Sequence, residues 1–422
     1  MTRSATSRQI ARKTSTIALD FRWLDRLNFG NGQYRYCVDL ISSLAVLPLD
    51  FNFIVIGSQP SPPEPIRSIF QNGNWWRYVQ LADWNIRGGQ RTYPLRYRRL
   101  LRHHRVDLLH SLHSFLPPLS GARAVVTIYD MMFELFPEYQ AAVDSKPYRA
   151  FKHAVQSTGP SIIAISEATA NDVHRLWGIP RERISVVYLC AQSATEQDLS
   201  RSSSVAEIAA KPFLLSPYNL EPRKNLISLL RAMADVRRHH PDVRLVLFGR
   251  AAVTPEREER FRADVRELGL QDRLVMTGFI SDEELSLLYR RAALFVFPSL
   301  YEGFGLPVLE AMAAGACTVV RNQSAMAEIL ADAGVQTETR DPALLSTAIR
   351  SLLDDPTRRA DLGHAAERRS QHFTREAMAR NTLALYMKAL GREEQWLEAT
   401  PVTQESDPSR LAGSDLIVVC KD

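Results

Sequence analysis

The stretch Phe297-Pro-Ser-Leu-Tyr-Glu-Gly-Phe-Gly-Leu-Pro-Val-Leu-Glu310 joins an apolar strand to a helix through a glycine turn. Residues 294–297 are all apolar and predict a buried strand, and Pro307 suits the first turn of a helix. Gly303 and Gly305 permit backbone conformations that are closed to residues with a Cβ atom. The stretch is therefore typical of an α/β protein with a parallel sheet.

The start of that helix suits a negatively charged group. Unpaired backbone amides, together with the positive end of the helix dipole, attract anions such as a diphosphate. The residues expected to supply these amides are Gly303, Phe304, Gly305 and Leu306.

Two carboxylates, Glu302 and Glu310, flank the same turn. Because like charge repels them from a phosphate, their expected partners are hydroxyl groups, which a carboxylate binds strongly. A diphosphate and sugar hydroxyls together describe a nucleotide sugar. The alternative is an ordinary strand-to-helix connection in which Glu310 only stabilises the first turn.

A second cluster lies upstream, in Leu214-Leu-Ser-Pro-Tyr-Asn-Leu-Glu-Pro-Arg-Lys-Asn-Leu226. Arg223 and Lys224 follow an apolar strand and precede an amphipathic helix predicted over residues 225–237. Arg can bind a diphosphate with its planar fork and Lys as a point charge, whereas the alternative is a solvated basic pair on a loop.

These residues resemble a known family. The Glu302/Glu310 pair, the Glu-Pro-Arg-Lys-Asn-Leu run from Glu221 and the segment 278–285 are similar to the retaining glycosyltransferases of family 4, or glycosyl transferases group 1, including bacterial polysaccharide mannosyltransferases. The resemblance implies the GT-B fold: α/β, with two Rossmann-like domains whose parallel sheets face a central cleft that holds the site. It also implies that Glu302 contacts the transferred sugar and Glu310 the nucleotide ribose, while Arg223 and Lys224 hold the diphosphate.

The amino-terminal half matches the family at scattered points. Gly30 and Gly32 resemble its glycine loop, where a backbone approaches a phosphate, although a simple turn would look the same. Tyr129 and Asp130 follow another predicted strand, where the family usually has His-Asp. The tyrosine can donate a hydrogen bond to a sugar hydroxyl but is a poor general base near neutral pH. The resemblance thus predicts as catalytic residues Glu302, Arg223, Lys224, Tyr129 and Asp130.

The predicted organisation has two domains. Predicted strands cover residues 16–19, 52–57, 107–112, 124–128, 161–165 and 184–189 in the first, and 213–216, 244–248, 274–277, 294–297 and 317–320 in the second. The predicted boundaries are a disordered basic extension (1–16), the acceptor-side domain (17–190), a linker (191–211), the nucleotide-sugar domain (212–373), a helix that crosses back to the first domain (374–390) and a tail (391–422).

Composition agrees with a globular, two-domain chain. It has 422 residues, of which 45% are hydrophobic and 23% charged. Its four cysteines are scattered without metal-ligand spacing, which favours a reducing cytoplasm. No apolar run reaches the roughly 20 residues that span a bilayer, so we expect a cytoplasmic protein, with peripheral attachment to the inner face of the membrane as a hypothesis.

A basic stretch motivates that hypothesis. Residues 86–106 contain seven arginines and no acidic residue, in a chain of net charge +5. The stretch from Arg87 to Arg105 would suit an anionic membrane surface or be a solvated basic helix. Nucleic acid is not an expected partner, because no helix-turn-helix, zinc or aromatic RNA-binding signature is present.

The resemblance to bacterial mannosyltransferases implies transfer of a hexose, with mannose as the first candidate, from GDP-mannose or a UDP-sugar to a glycan or lipid-linked glycan of a surface polysaccharide. Neither a cofactor nor a metal is expected, since cations and a helix start neutralise the diphosphate. His110 and His113 are interpreted as structural or acceptor-side residues rather than metal ligands. The alternatives are a GT-B nucleotide-sugar epimerase and a non-catalytic nucleotide- or polyanion-binding relative.

Overall fold

The computed structural model describes residues 14–22, 24, 32–47, 51–72, 75–81, 89–117, 119, 121–191, 203–249 and 254–392. Gly30, Arg87 and most of the predicted extension, linker and tail lie outside these residues.

The strands of the described residues form two sheets. They are β1 (Ser15–Asp20), β2 (Phe51–Gly57), β3 (Trp76–Gln80), β4 (Leu108–Ser111), β5 (Arg123–Ile128), β6 (Ser161–Ala164), β7 (Ile184–Val186), β8 (Phe213–Pro217), β9 (Arg244–Phe248), β10 (Leu274–Gly278), β11 (Leu294–Phe297), β12 (Thr318–Arg321) and β13 (Val335–Thr337). The seven-stranded sheet has the order β3-β2-β1-β4-β5-β6-β7, and the six-stranded sheet has the order β10-β9-β8-β11-β12-β13.

Helices connect the strands. They are α1 (Gly32–Ala45), α2 (Glu64–Arg67), α3 (Ile69–Asn72), α4 (Gly89–His103), α5 (Met132–Leu135), α6 (Gln140–Val143), α7 (Lys146–Thr158), α8 (Glu167–Trp177), α9 (Ser203–Ala209), α10 (Leu226–His239), α11 (Pro255–Glu267), α12 (Asp282–Arg291), α13 (Leu306–Ala313), α14 (Ala325–Leu330), α15 (Pro342–Leu353), α16 (Pro356–Ser370) and α17 (Arg375–Leu390). A 3₁₀ turn covers Pro222–Lys224.

Both sheets are built of parallel strands with continuous apolar runs. β8 pairs with β9 and β11 in parallel, and its residues Phe213, Leu214 and Leu215 are fully buried. Strands covered on both faces need such runs rather than alternating polarity. The α/β class with two Rossmann-like parallel sheets, predicted from the sequence, is therefore confirmed.

Helices α10 and α15 cover one face of the six-stranded sheet. Leu229 and Met233 of α10 and Ile349 of α15 are fully buried in one apolar cluster with strand residue Val296. Burying a side chain of this size contributes about 1.5–3 kcal/mol to the free energy of folding. This layer therefore stabilises the sheet whose strand ends carry the candidate site.

In both sheets the strand order reverses at one point, between β1 and β4 and between β8 and β11. In the seven-stranded sheet, buried polar side chains occupy that point. Asp20 is fully buried, and its carboxylate accepts hydrogen bonds from Arg22 Nε at 2.8 Å and from Tyr97 Oη at 2.9 Å. Despite burial, the Arg22 and His113 side chains hold the pKa of Asp20 well below its usual range.

Chain contacts divide the protein into two compact units. Among the described residues, one unit lies within 14–127, 145–162 and 382–392, and the other within 128–144 and 163–381. The predicted domain boundaries stay a prediction.

Candidate functional site

The candidate site lies where β8 and β11, neighbouring parallel strands of the six-stranded sheet, end. Arg223 and Lys224 follow β8, and Glu302 follows β11. Because the strand order reverses between these two strands, their following loops diverge and leave room for a ligand at the carboxyl edge.

Glu302 is the centre of a charge cluster. Its Oε1 accepts from Lys224 Nζ at 2.6 Å and from Ser299 Oγ at 2.7 Å, and its Oε2 accepts from Arg223 Nη1 at 3.3 Å. Burial alone would raise the pKa of Glu302, but the two cations outweigh it and the pKa is lowered. The carboxylate is therefore ionised at neutral pH.

The Arg223 guanidinium is held on two edges. Its Nε donates to Glu221 Oε2 at 2.8 Å, and Nη1 donates to the Tyr301 carbonyl oxygen at 3.3 Å as well as to Glu302. Although burial opposes its charge, Glu302 and Glu221 raise the pKa of Arg223 above its usual value. Arg223 therefore stays charged.

Asn225 fixes the loop that carries the two cations. It adopts a left-handed backbone conformation with φ 56°, and its Nδ2 donates to the carbonyl oxygens of Thr339 at 2.9 Å and Pro298 at 3.3 Å. Pro298 precedes the Ser299–Glu302 loop, so this side chain ties the loops after β8 and β11 together.

The two helices that begin at the site lack a side-chain cap. The N-cap residue of α10 is Asn225 and that of α13 is Gly305, and neither side chain caps its helix. Other long helices of the same unit are capped by Ser166, Thr254, Ser281, Asp341 and Asp355. At α10 and α13 the N-cap residue therefore does not compete with an anion for the first amides.

Gly303 is pressed against the turn after β5. A Cβ atom at residue 303 would lie 1.7 Å from the carbonyl oxygen of Tyr129 and 3.0 Å from Asp130 Cβ. The Gly303 carbonyl oxygen accepts from Ser166 Oγ at 2.7 Å. Only glycine fits here, and it brings the Tyr129-Asp130 turn beside Glu302.

Asp130 is a buried carboxyl in that turn. Burial raises its pKa, although the Met132 amide at 3.0 Å and the charge of Arg223 act in the opposite direction. Glu302 and Lys224 also lie within electrostatic range of it. The structure thus brings together the residues predicted as catalytic: Glu302, Arg223, Lys224, Tyr129 and Asp130.

The predicted donor-binding residues have different surroundings. Phe304 is 3% exposed and packs against Tyr188 and Phe373, so its side chain belongs to the core and only its backbone is available. Gly305 has φ 108° and Leu306 begins α13. Glu310, one turn into that helix, accepts from Tyr289 Oη at 3.2 Å.

Gly32 begins α1 and belongs to the other unit. In that unit His110 lies between Tyr386 Oη at 2.6 Å from Nδ1 and Thr127 Oγ1 at 2.8 Å from Nε2, and His113 lies beside Asp20. The described residues contain no group of three or more His, Cys, Asp or Glu side chains arranged to hold a metal ion.

Some residues of the site were missed in the sequence. Ser299 and Glu221 stand inside the two motifs already quoted, but their roles depend on geometry that spacing does not reveal. The same holds for Tyr301, whose hydroxyl accepts from the Met131 amide at 2.9 Å, whereas Tyr139, whose hydroxyl donates to Glu221 at 2.8 Å, lies outside both motifs and gives no sequence signal.

Comparison with known proteins identifies the family. Residues 201–369 match the glycosyl transferases group 1 family, and residues 30–194 match glycosyltransferase family 4. O-antigen chain mannosyltransferase B of Escherichia coli is 28% identical over 341 residues, which are 77% of this chain and 87% of that protein. The serotype-specific mannosyltransferase WbdA of the same species is 35% identical over 184 residues, which are 40% of this chain and 22% of that longer protein.

A solved structure shares the fold. Sucrose-phosphate synthase from Thermosynechococcus elongatus superposes with a TM-score of 0.67 at 20% identity, covering 92% of this chain and 100% of the other. The predicted GT-B class of α/β fold is confirmed, as is the prediction of an enzyme, a glycosyltransferase of the hexosyltransferase kind. The comparisons favour neither the epimerase nor the non-catalytic alternative. The chain belongs to the group 1, or family 4, glycosyltransferases.

Proposed function

We propose that this glycosyltransferase moves a hexose, with mannose as the first candidate, from a nucleotide-diphosphate sugar to a glycan or lipid-linked glycan of a surface polysaccharide, with retention at the anomeric carbon. GDP-mannose is the first candidate donor and UDP-sugars are the next. The names of the O-antigen and WbdA relatives support mannose and a surface glycan.

The observation that carries the proposal is the Glu302 carboxylate paired with Lys224 at 2.6 Å and Arg223 at 3.3 Å, beside the uncapped start of α13. A diphosphate would compete with Glu302 for these cations, because it offers more negative charge. The released Glu302 oxygens would then accept from sugar hydroxyls. The same cluster would thus bind both the diphosphate and the sugar of the donor.

The proposed chemistry is mainly charge stabilisation. As the glycosidic bond breaks, negative charge grows on the diphosphate, and Arg223, Lys224 and the amides of residues 303–306 would bind it more tightly than in the ground state. The acceptor hydroxyl attacks the anomeric carbon from the face that the leaving diphosphate occupies, and its proton passes to the departing phosphate oxygen. Attack from that face retains the configuration. Loss of one such hydrogen-bond donor raises the activation free energy by about 3 kcal/mol.

No metal is required in this proposal, because two cations and a helix start already offset the diphosphate charge. Glu310 would bind the nucleotide ribose. Tyr129 would donate to the transferred sugar, and Asp130, whose pKa is raised by burial, would support that turn.

We also propose peripheral attachment to an anionic membrane through α4. Tyr93, Tyr97 and Leu101 of α4 are buried, whereas Leu95 is 66% exposed. Arginines 96, 98, 99 and 102 are all exposed, and α4 contains no acidic residue. None of the described helices is long and apolar enough to cross a bilayer.

The first test is a thermal-shift panel of GDP, UDP, ADP and their common sugar conjugates on the wild type and on Lys224→Ala. We expect one nucleotide to raise the unfolding midpoint, and Lys224→Ala to reduce that shift and to lower turnover at least about tenfold, because one charge-assisted contact is lost.

Lys211→Ala, which removes an exposed lysine outside the site, is the control and should behave as the wild type. Absence of a shift with every nucleotide, or unchanged turnover of Lys224→Ala at saturating donor, would contradict the proposal.

A further inference from the structure

Glu221 connects the candidate site to the segment after β5. Its Oε2 accepts from Arg223 Nε and from Tyr139 Oη, each at 2.8 Å. The opposite edge of the same guanidinium, at Nη1, faces Glu302 Oε2 and the Tyr301 carbonyl oxygen, both at 3.3 Å. Arg223 is therefore bound on both edges of its plane, and its side chain is 13% exposed.

This arrangement restricts a flexible side chain. An arginine loses up to about 2 kcal/mol of rotamer entropy when it is ordered, and its planar fork binds a phosphate well only in one orientation. The Tyr139 hydroxyl in turn holds the Glu221 carboxylate in place. The Glu221 side chain is 34% exposed, so without this hydrogen bond it would be free to rotate toward solvent.

We propose that Glu221 and Tyr139 are positioning residues for the transfer reaction, which orient the Arg223 guanidinium toward the leaving diphosphate. The inference rests on the proposed function and adds two residues that need not touch the donor themselves. Tyr139 lies on the same segment as Tyr129 and Asp130, so this pair also links the cation to the turn beside Gly303.

The negative charge of Glu221 allows positioning to be distinguished from direct binding of the nucleotide. A carboxylate close to a diphosphate site repels the ligand, so removal of the Glu221 charge should not weaken nucleotide binding on electrostatic grounds. Loss of orientation, by contrast, should slow the chemical step. Positioning therefore predicts that kcat falls while the affinity for the nucleotide stays equal or improves.

The protein contains a matched control. Tyr218 Oη donates to Glu258, which also pairs with Arg262 Nε at 3.0 Å, on α11. This Tyr-Glu-Arg set has the same composition as Tyr139, Glu221 and Arg223, but Arg262 is 68% exposed and makes no contact with Glu302. Glu258→Gln and Tyr218→Phe thus repeat the same chemical changes on a set whose arginine is not bound to Glu302.

The experiment uses the full chain with GDP-mannose and UDP-glucose as donors and measures nucleotide release, together with calorimetric Kd values for GDP and UDP. We expect Glu221→Gln to lower kcat about tenfold without raising the nucleotide Kd, and Tyr139→Phe to lower kcat about threefold, which are typical costs of a lost orienting contact. Both control variants should keep the wild-type kcat.

An unchanged kcat in Glu221→Gln and Tyr139→Phe, or a lowered kcat that the controls reproduce, would overturn the proposal. A second readout does not depend on turnover: the Nε–H signal of Arg223 in the NMR spectrum of the protein without ligand, assigned with Arg223→Lys. We expect its exchange with water to speed up in Glu221→Gln; an unchanged exchange rate would also overturn the proposal.

A wild type that turns over no donor would speak against the proposed function alone. The Arg223 signal would then still decide whether Glu221 and Tyr139 orient the guanidinium.

Discussion

Gly303 lies so close to the turn after β5 that no side chain fits. Because an added Cβ would come within 1.7 Å of the Tyr129 carbonyl oxygen, a backbone atom, one of the two turns must move. We expect Gly303→Ala to lower turnover at least about a hundredfold, since small misplacements of reacting groups have effects of this size. Nucleotide release with the donor identified by thermal shift checks it.

Gly57→Ala is the matched control. Its Cβ would meet side-chain atoms of Tyr78, with Oη at 1.8 Å and two ring carbons within 2.6 Å, so the packing must shift there as well, but outside the candidate site. Equal losses in both variants would mean that Gly303 matters only for stability, as would an unfolding midpoint that falls in parallel with turnover.

Among individual residues, the sequence predicts the charged residues and glycines of the site better than the residues that hold them in place. Glu302, Arg223 and Lys224 stand in motifs whose chemistry can be interpreted without coordinates. Asn225 was not predicted as a support, because a left-handed φ of 56° and a bond to the Thr339 carbonyl arise only after two loops have been brought together.

A buried hydrogen bond joins strand β4 to helix α17, and one of its two partners is a titratable histidine. His110 Nδ1 lies 2.6 Å from Tyr386 Oη, and burial lowers the pKa of His110 to about 3. The unfolded chain binds a proton at His110 near pH 6.5, whereas the folded chain does not until about pH 3. The contribution of this group to stability is therefore complete above pH 6.5 and is lost as the pH falls toward 3.

We expect the free energy of unfolding to fall by about 1.4 kcal/mol per pH unit below pH 6.5 on account of His110. In His110→Gln, which cannot titrate, that part of the slope should vanish. Urea unfolding of both proteins between pH 7 and 5 measures it. Parallel slopes, or an NMR titration that places the His110 pKa near 6.5, would contradict the prediction.

Most elements could be predicted because parallel strands are continuous apolar runs. Strands β3 and β13 were missed, and both lie at a sheet edge. β3 has exposed residues such as Arg77 among its apolar ones, and β13 is only three residues long. Edge strands carry weaker apolar patterns, since one side has no neighbouring strand to cover it.

The distribution of charge over the molecule makes membrane attachment testable. We expect the full chain to float with vesicles that contain anionic lipid at low salt and to dissociate at about 0.5 M salt, where surface charges are screened. Arg98→Glu/Arg99→Glu/Arg102→Glu, which reverses exposed charges of α4, should abolish flotation.

Arg257→Glu/Arg266→Glu/Arg368→Glu is the control, since it changes the net charge equally at exposed positions outside α4. Equal loss of flotation in both triple variants would point to net charge alone, and absence of wild-type flotation at low salt would end the proposal.

At the scale of the whole molecule the sequence predicted least. Motifs are local, whereas the division of a chain into compact units depends on every contact. The segment 128–144 begins at the last residue of β5 in the first sheet yet is grouped with the second unit, which the loop composition does not reveal.

The missing caps of α10 and α13 have a consequence for protein engineering. A side-chain cap usually adds about 0.5–2 kcal/mol, so a programme of stabilising substitutions would select these two helix starts first. They should be left as they are, because both helices begin at the candidate site and a new side-chain oxygen would occupy amides there, including those of α13 that we propose bind the diphosphate. Heat resistance is better sought in helices that begin elsewhere in the chain.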